Sequence, residues 1–188
     1  MARWKGNTRG RLERAALDLF TEQGYDRTTV AQIAKRADLT ERSFYRWFPD
    51  KREVLFGGGE ELEQCFVAAI EAAPAGTGPL GMLIAAFSKA PEVIRPREFL
   101  RERSAVIAAN PPLLERELIK LDDLSQALIA ALERRGTQTR EARLATEAGL
   151  AILREAGLRW MADENADHTQ LLADCTADLL AILATGND

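Results

Sequence analysis

The chain has 188 residues, of which 46% are hydrophobic and 29% are charged, and its formal net charge at pH 7 is −4. This composition is typical of a soluble globular protein with a sizeable core, and no apolar run approaches the roughly 20 residues of a membrane span. The polar, basic N-terminus does not resemble a secretory signal, and Cys65 and Cys175 form no disulfide framework. We therefore expect a cytoplasmic protein without a membrane partner.

The first two predicted helices are short and amphipathic. Apolar residues at helical spacing predict a first helix over residues 9–23, and Gly24 follows at the position where a left-handed residue ends a helix. Thr29 and Gln32 have the spacing of a capping box, so the second helix is predicted to begin near Val30.

The third predicted helix is short and aromatic. Thr40 is placed to cap it, and it covers about residues 41–48 before Pro49 ends it. Phe44 and Phe48 are four residues apart and share one face, so they are expected to anchor this helix to the first two. The opposite face is predicted to be polar and exposed to solvent.

The rest of the chain also has helical patterns. Asp50 and Glu53 predict a fourth helix from Lys51 to about residue 73, although three glycines at 57–59 each cost a helix interior about 1 kcal/mol relative to alanine. Further helices are predicted over residues 79–90, 97–109, 112–135, 138–163 and 167–184. Strand patterns are absent. We predict an all-α fold with an N-terminal three-helix helix-turn-helix domain and a C-terminal helical bundle, about nine helices in total.

The polar face of the third helix suits the major groove of DNA. It carries Arg42, Ser43, Tyr45 and Arg46. An arginine there can pair with guanine, and a serine can contact a base or a phosphate. The alternative is that both arginines are solvated surface charges and that Tyr45 packs against a neighbouring side chain.

The charge is divided unevenly along the chain. Residues 1–56 contain 12 Lys and Arg against 8 Asp and Glu, whereas residues 57–188 contain 13 against 21. A basic N-terminal part joined to an acidic remainder is expected when one end meets phosphate groups. An accidental fluctuation on a solvated surface is the alternative.

Several segments between residues 9 and 55 occur in a fixed order: ALDLF, EQGY, TTVAQIA, LTERSFYRWF and FPDK. Together they closely resemble the DNA-binding domain of the TetR family of bacterial regulators. The resemblance implies a homodimer that binds a palindromic DNA operator and releases it when a small-molecule effector binds. Asp38 departs from the pattern, because the family's turn has glycine at this position.

The resemblance also implies roles for individual residues. Three residues match positions that contact phosphates: Thr29, Tyr45 and Lys51. Five lie in the segment that enters the groove: Thr40, Glu41, Arg42, Ser43 and Arg46. We accordingly predict a DNA-binding domain over residues 1–50 and a ligand-binding and dimerisation domain over residues 51–188.

The second domain is predicted to sense a ligand and to pair two copies. In the family, the last two long helices form the dimer interface, which suggests these residues: Leu144, Ala148, Ile152, Leu172, Cys175, Leu179 and Ile182. Large apolar side chains suggest a pocket for a hydrophobic or amphipathic ligand, lined by Met82, Phe87, Phe99, Ile107 and Trp160. Each of these residues has the alternative role of a simple core residue.

A basic cluster in the acidic half has two interpretations. It consists of Arg95, Arg97, Arg101 and Arg103. These arginines could receive an anionic head group such as that of an acyl-CoA, or they could form a solvated face with neighbouring glutamates.

No set of catalytic residues is apparent. His168 is the only histidine, no Cys/His cluster has metal spacing, and the glycines at 57–59 lack the Lys-Ser/Thr of a phosphate-binding loop. We therefore predict no enzyme activity, no cofactor and no metal. Two alternatives to a ligand-released repressor remain: a helical ligand-binding protein with a degenerate DNA-binding head, and a nonspecific DNA binder.

Overall fold

The computed structural model describes residues 8–185. Its helices are α1 (Thr8–Gln23), α2 (Val30–Arg36), α3 (Glu41–Tyr45), α4 (Gly59–Glu71), α5 (Pro79–Phe87), α6 (Ala90–Val93), α7 (Arg97–Ala108), α8 (Pro111–Arg134), α9 (Thr139–Ala162) and α10 (His168–Thr185). A single 3-10 turn, Glu53–Leu55, lies between α3 and α4. Residues 8–185 contain no strand, so the predicted all-α fold is confirmed.

The predicted fourth helix is wrong at its start. It begins at Gly59 instead of Lys51, because Gly58 has a φ of 94° and so lies in the left-handed region that interrupts a helix. The glycine run is therefore the N-terminal boundary of α4 and not part of its interior. The third helix is also shorter than predicted, since α3 ends at Tyr45.

The chain packs as two compact units. Unit 1 comprises the residues up to Gly57 together with Glu98–Ile119, and unit 2 comprises Gly58–Arg97 together with the residues from Lys120 onward. As a packing unit, the N-terminal part therefore extends beyond residue 50 and includes most of α7. The predicted functional division at residue 50 stays a prediction.

Unit 1 has its own hydrophobic core. Leu12 and Phe20 of α1, Ile33 of α2 and Phe44 of α3 belong to one buried cluster, which confirms that the aromatic face of α3 anchors it. α7 and the start of α8 contribute further buried residues: Phe99, Val106, Ile107 and Leu113.

Unit 2 is built around α5. This helix packs against both α4 and α9, and α9 packs against α10. Phe66 of α4 meets Phe87 of α5 edge to face with ring centroids 5.0 Å apart, a favoured aromatic geometry. None of the helices formed by residues 8–185 combines the length and the apolar character that a membrane crossing requires.

Candidate nucleic-acid interface

The start of α2 is fixed by a capping box. Thr29 Oγ1 accepts a hydrogen bond of 3.2 Å from the Gln32 backbone N–H, and Gln32 Oε1 accepts one of 2.8 Å from the Thr29 N–H. These bonds satisfy two N–H groups that a helix start otherwise leaves without partners. The sequence prediction for this cap is confirmed, and it leaves the Thr29 side chain exposed at a helix N-terminus.

The turn between α2 and α3 uses a left-handed aspartate. Asp38 has a φ of 53°, the only positive φ of a non-glycine residue among residues 8–185. Asp38 thus adopts the left-handed conformation that glycine takes most readily and that aspartate tolerates better than most residues. The Arg11 guanidinium of α1 donates to the carbonyl oxygens of Ala37 and Asp38 and lies 3.7 Å from the Asp38 carboxylate.

The role of Arg11 could not be read from the sequence. It is one of several arginines on an amphipathic helix, and only the fold brings it to a turn 26 residues later. By holding the two carbonyl groups, it fixes the direction in which the chain leaves α2 and enters α3.

α3 is anchored on one side and capped at its start. Phe44 is completely buried and contacts Phe48, with ring centroids 5.5 Å apart. Thr40 Oγ1 accepts a 3.2 Å hydrogen bond from the Ser43 backbone N–H, and the two hydroxyl groups lie 3.0 Å apart. Thr40 and Ser43 are therefore engaged with each other at the helix start, and Ser43 is only half-exposed.

The other side of α3 faces solvent. Glu41, Arg42 and Arg46 are exposed, and the side chain of Tyr45 is 56% exposed. Trp47, just after the helix, is 45% exposed. Tyr45 and Trp47 thus add two exposed aromatic side chains to the polar face of α3.

Arg42 and Arg46 differ from most other arginines of unit 1. Within residues 8–185, neither guanidinium group has a hydrogen-bonding or ion-pair partner. By contrast, Arg14 pairs with Glu102 of the same unit, and Arg36 forms two hydrogen bonds of 2.7 and 2.8 Å with the Glu22 carboxylate. Arg42 of α3 and Arg46 directly after it are thus available to an external anion or base edge.

Lys51 is engaged within the chain. Its ammonium donates to the carbonyl oxygens of Tyr25, at 2.7 Å, and Thr28, at 2.9 Å, and lies 4.0 Å from the centre of the Tyr25 ring. Burial lowers the pKa of Lys51 from its ordinary value. This lysine holds the loop before α2, so it positions Thr29, and a direct phosphate contact stays a prediction.

The five predicted pocket residues do not form one group. Met82 and Phe87 belong to the core of unit 2, whereas Phe99 and Ile107 belong to the core of unit 1. Trp160 is half-buried, and Arg97 lies over its ring at 4.1 Å. Sequence reasoning missed this division because α7 looks like any other amphipathic helix, although it packs with α1.

The predicted dimer residues face two directions. Ile152, Leu172 and Cys175 are buried within unit 2, with 5% or less of each residue exposed, and Leu179 and Ala148 are half-buried. Leu144 and Ile182, by contrast, are exposed. The apolar stripe chosen on α10 is thus mainly its inner, core-facing side. Other exposed leucines lie on these two helices: Leu158, Leu180 and Leu183.

The arginine cluster does not form a common anion site. Arg97 donates to the carbonyl oxygens of Asp163 and Ala166, and Arg103 donates to Glu117 at 2.9 Å and to the Leu55 carbonyl oxygen. Arg95 and Arg101 also have partners. Arg97 and Arg103 are thus engaged within the chain, and the two interpretations of the whole cluster stay predictions.

Comparison with known proteins identifies the N-terminal segment. Residues 13–56 match the family model of bacterial regulatory proteins of the tetR family. The chain is 38% identical over 109 residues to the HTH-type transcriptional regulator TcmR of Streptomyces glaucescens, covering 58% of this chain and 48% of that protein. It is 48% identical over 42 residues to the HTH-type transcriptional regulator HbdR of Aromatoleum sp. strain CIB, covering 22% and 18%. The chain thus matches less than half the length of these relatives.

Solved structures share the fold over nearly the whole chain. A putative transcriptional regulator from Pseudomonas aeruginosa PAO1 has a TM-score of 0.63 at 18% identity, covering 97% of this chain and 95% of that one. Thermus thermophilus FadR, a TetR-family repressor in complex with lauroyl-CoA, has a TM-score of 0.54 at 24% identity, covering 92% and 93%. At these identities the likeness shows the fold alone.

Proposed function

We propose that this chain, whose residues 13–56 match the family model of bacterial regulatory proteins of the tetR family, is a member of that family and acts as a sequence-specific, DNA-binding transcriptional regulator and not as an enzyme. Its partner is a palindromic double-stranded operator, which it meets in the cytoplasm. It acts as a repressor that a small hydrophobic or amphipathic effector releases from the operator.

One observation carries this proposal: the guanidinium groups of Arg42 in α3 and Arg46 directly after it are exposed and have no partner within residues 8–185, while the aromatic face of α3 is anchored in unit 1. An arginine in the major groove can donate two hydrogen bonds to guanine O6 and N7. A rigid anchor is needed for such a contact to distinguish sequences, and Phe44, Phe48 and the Arg11-braced turn supply it. Arg42 and Arg46 are therefore assigned to base edges, and Glu41 and Ser43 to the same segment.

The remaining predicted DNA contacts are assigned to the phosphate backbone. Thr29 and Thr40 lie at helix N-termini, where free N–H groups and the helix dipole favour an anion. Tyr45 offers an exposed hydroxyl group. Lys51 contributes mainly by fixing the loop that carries Thr29, because its donors already bind carbonyl groups.

A palindromic operator requires two copies related by a two-fold axis. We assign the contact between copies to the outer faces of α9 and α10, which carry exposed apolar side chains: Leu144, Leu158, Leu180, Ile182 and Leu183. Exposed leucines and isoleucines on two adjacent helices favour association by burying apolar surface. The pair would present its α3 helices to half-sites about 34–36 Å apart, or a multiple of it.

Selection of bound duplexes from a random-sequence pool, followed by footprinting of the enriched sequence, tests the proposal. We expect a discrete palindromic footprint with a dimer bound to it. Binding without sequence preference and with steep salt dependence would support the nonspecific binder instead. Failure to enrich any sequence would support a ligand-binding protein with a degenerate DNA-binding head.

A further inference from the structure

Glu41 is an exposed acid among the basic and aromatic side chains of α3. It is the first residue of the helix and directly precedes Arg42. Within residues 8–185 its carboxylate has no hydrogen-bonding or ion-pair partner. Because this face is assigned to DNA, a free carboxylate there repels the phosphate groups and weakens binding unless a base offers it a donor.

Other carboxylates of unit 1 have cations beside them. Glu22 accepts two hydrogen bonds from Arg36, at 2.7 and 2.8 Å, and Asp50 accepts one of 3.0 Å from Arg52. Glu41 lacks a cation of this kind among the described residues. Its negative charge is therefore available to a donor outside the chain.

Glu41 is not needed to cap α3. Thr40 Oγ1 already accepts a hydrogen bond from the Ser43 backbone N–H, and the two hydroxyl groups lie 3.0 Å apart. In α2, by contrast, the side chain of Gln32 completes the cap. The Glu41 side chain takes no part in the corresponding bonds of α3, so capping does not account for an acid at this position.

The major groove offers a carboxylate two kinds of amino group, on cytosine and on adenine. Adenine places its N7 acceptor beside its N6 amino group, so a carboxylate that approaches one is repelled by the other. The cytosine edge presents its N4 amino group as a donor without an acceptor on the same base. A glutamate that enters the groove therefore favours cytosine.

The position of Glu41 next to Arg42 places this cytosine close to a guanine. Consecutive Cα atoms are about 3.8 Å apart and consecutive base pairs about 3.4 Å apart. The two side chains can therefore reach the same base pair or neighbouring ones. Arg42 then donates to guanine O6 and N7 while Glu41 accepts from cytosine N4.

We propose that Glu41 is a specificity-determining residue that accepts a hydrogen bond from the N4 amino group of a cytosine, within one base pair of the guanine that Arg42 contacts in each half-site. The inference rests on the proposed function, since it names a base of the operator. It also gives the carboxylate a role in discrimination, because any base without a free donor leaves a negative charge in the groove without a partner.

Selection from a random-sequence duplex pool locates the two bases, the guanine being the one whose preference Arg42→Ala loses. Modified duplexes of the enriched sequence then test the hydrogen bond. One amino hydrogen of cytosine pairs with guanine and the other faces the major groove, so N4-methylcytosine keeps the base pair and removes the groove donor. N4-methylcytosine in both half-sites should weaken binding roughly 100-fold, about tenfold for each contact.

C5-methylcytosine at the same positions is the control. It adds a methyl group to the same groove and keeps the amino donor, so it should change the affinity by less than about threefold. Equal binding of the N4-methylated and unmodified duplexes would overturn the proposal. Equal losses from the two methyl groups would also overturn it, because they would report space in the groove instead of a hydrogen bond.

Substitution of Glu41 tests the contact from the protein side. Glu41→Gln replaces one acceptor oxygen with a donor group, and glutamine pairs with adenine N6 and N7, so a repeated selection should change cytosine to adenine at this position. Glu41→Ala should accept any base there and lose the sensitivity to N4-methylation. It should also bind a scrambled duplex roughly threefold more tightly, because a negative charge is removed.

Glu60→Ala is the matched control. Glu60 is exposed and lies in the first turn of α4, so this variant loses the same charge from the same kind of position. It should keep both the cytosine and the sensitivity to N4-methylation. If Glu41 only stabilised α3 through the helix dipole, Glu41→Ala would lower the Tm and weaken binding to all duplexes by one factor while keeping the cytosine, which would contradict the proposal.

The same selection separates this inference from the proposed function. An enriched palindrome without a cytosine at this position, or with one that Glu41→Ala retains, refutes the reading by Glu41 and leaves the proposed function intact. Failure to enrich any sequence refutes the proposed function, and the inference with it.

Discussion

The two units of this chain differ in whether the polar groups that lack a partner among the described residues lie on the surface or in the core. In unit 1, Arg42 and Arg46 lie on the surface without partners, while the aromatic residues behind them are buried. In unit 2, two buried polar atoms have no hydrogen-bond partner among the described residues, Thr146 Oγ1 and His168 Nδ1, and both lie inside the core. The difference separates a surface whose arginines are available to an external partner from an interior whose polar atoms are enclosed by apolar side chains.

The largest expected effect concerns the surface of unit 1. We expect Arg42→Ala combined with Arg46→Ala to weaken binding of the dimer to the selected operator by at least about 4 kcal/mol, roughly 1,000-fold, since the two copies together lose four guanine contacts of about 1–3 kcal/mol each. Fluorescence anisotropy with operator and scrambled duplexes measures it.

The matched control removes the same charge from unit 2. Arg140→Ala combined with Arg143→Ala replaces two exposed arginines of α9. This variant should bind operator nearly as well as the wild-type chain. If both double variants lose affinity equally, and for both duplexes, only overall charge matters and the base contacts assigned to α3 are wrong.

The next effect concerns the end of unit 1. A Cβ atom at Gly57 would overlap the Oε1 atom of Glu13, whose residue is only 1% exposed, so the carboxylate cannot easily move aside. Gly57→Ala should lower the free energy of unfolding by about 1–3 kcal/mol, as measured by urea denaturation. Gly59→Ala is the control, because its Cβ would meet nothing within 4 Å. Equal stability of the two variants would show that the Glu13 side chain moves aside without lowering the free energy of unfolding.

A pH effect is expected from the interior of unit 2. Burial lowers the pKa of His168, so the folded chain binds fewer protons than the unfolded chain just below the ordinary value of 6.5. Stability is therefore greatest above pH 6.5 and falls as the pH drops through the window below it. Near this ring are Trp160, which it meets edge to face, and Asp167, and Arg97 in turn lies over the Trp160 ring.

His168 is the only histidine of the chain, so a substitution there isolates the contribution of histidine to the pH dependence of stability. His168→Phe should remove the change in Tm between pH 7.5 and 5.5 while keeping the aromatic contact with Trp160. A wild-type chain whose Tm is constant across this range would contradict a neutral, buried His168.

The smallest effect concerns the turn before α3. Asp38→Gly should raise the free energy of unfolding by about 0.5 kcal/mol, because glycine adopts a φ of 53° without strain and the exposed ion pair with Arg11 contributes little. Operator affinity should be unchanged. A clear loss of affinity would mean that the Asp38 side chain itself orients α3.

The sequence predicted the local structure of α2 and α3 well because its signals are local. Thr29 with Gln32 and Phe44 with Phe48 are three and four residues apart, so helix geometry alone places them together. The start of α4 was predicted wrongly because the three glycines at 57–59 were treated as destabilising residues inside a helix. In the structure, Gly58 has a left-handed conformation and ends the preceding turn.

The ligand and dimer residues depend on long-range packing that periodicity does not encode. Leu172 and Cys175 share an apolar stripe with helical spacing, and such a stripe looks the same whether it faces the core or a second copy. Likewise, nothing in α7 indicates that Phe99 packs with α1. Thr146 carries no sequence signal, since only the fold shows that its hydroxyl group is without a partner.

The specificity ratio of the wild-type chain tests the central claim most directly. It is the affinity for the selected palindromic duplex divided by the affinity for a scrambled duplex of equal length at one fixed salt concentration. Two anchored α3 helices with free arginines predict a ratio of at least about 10³. A ratio near one would contradict sequence reading by α3, however tightly the chain bound either duplex.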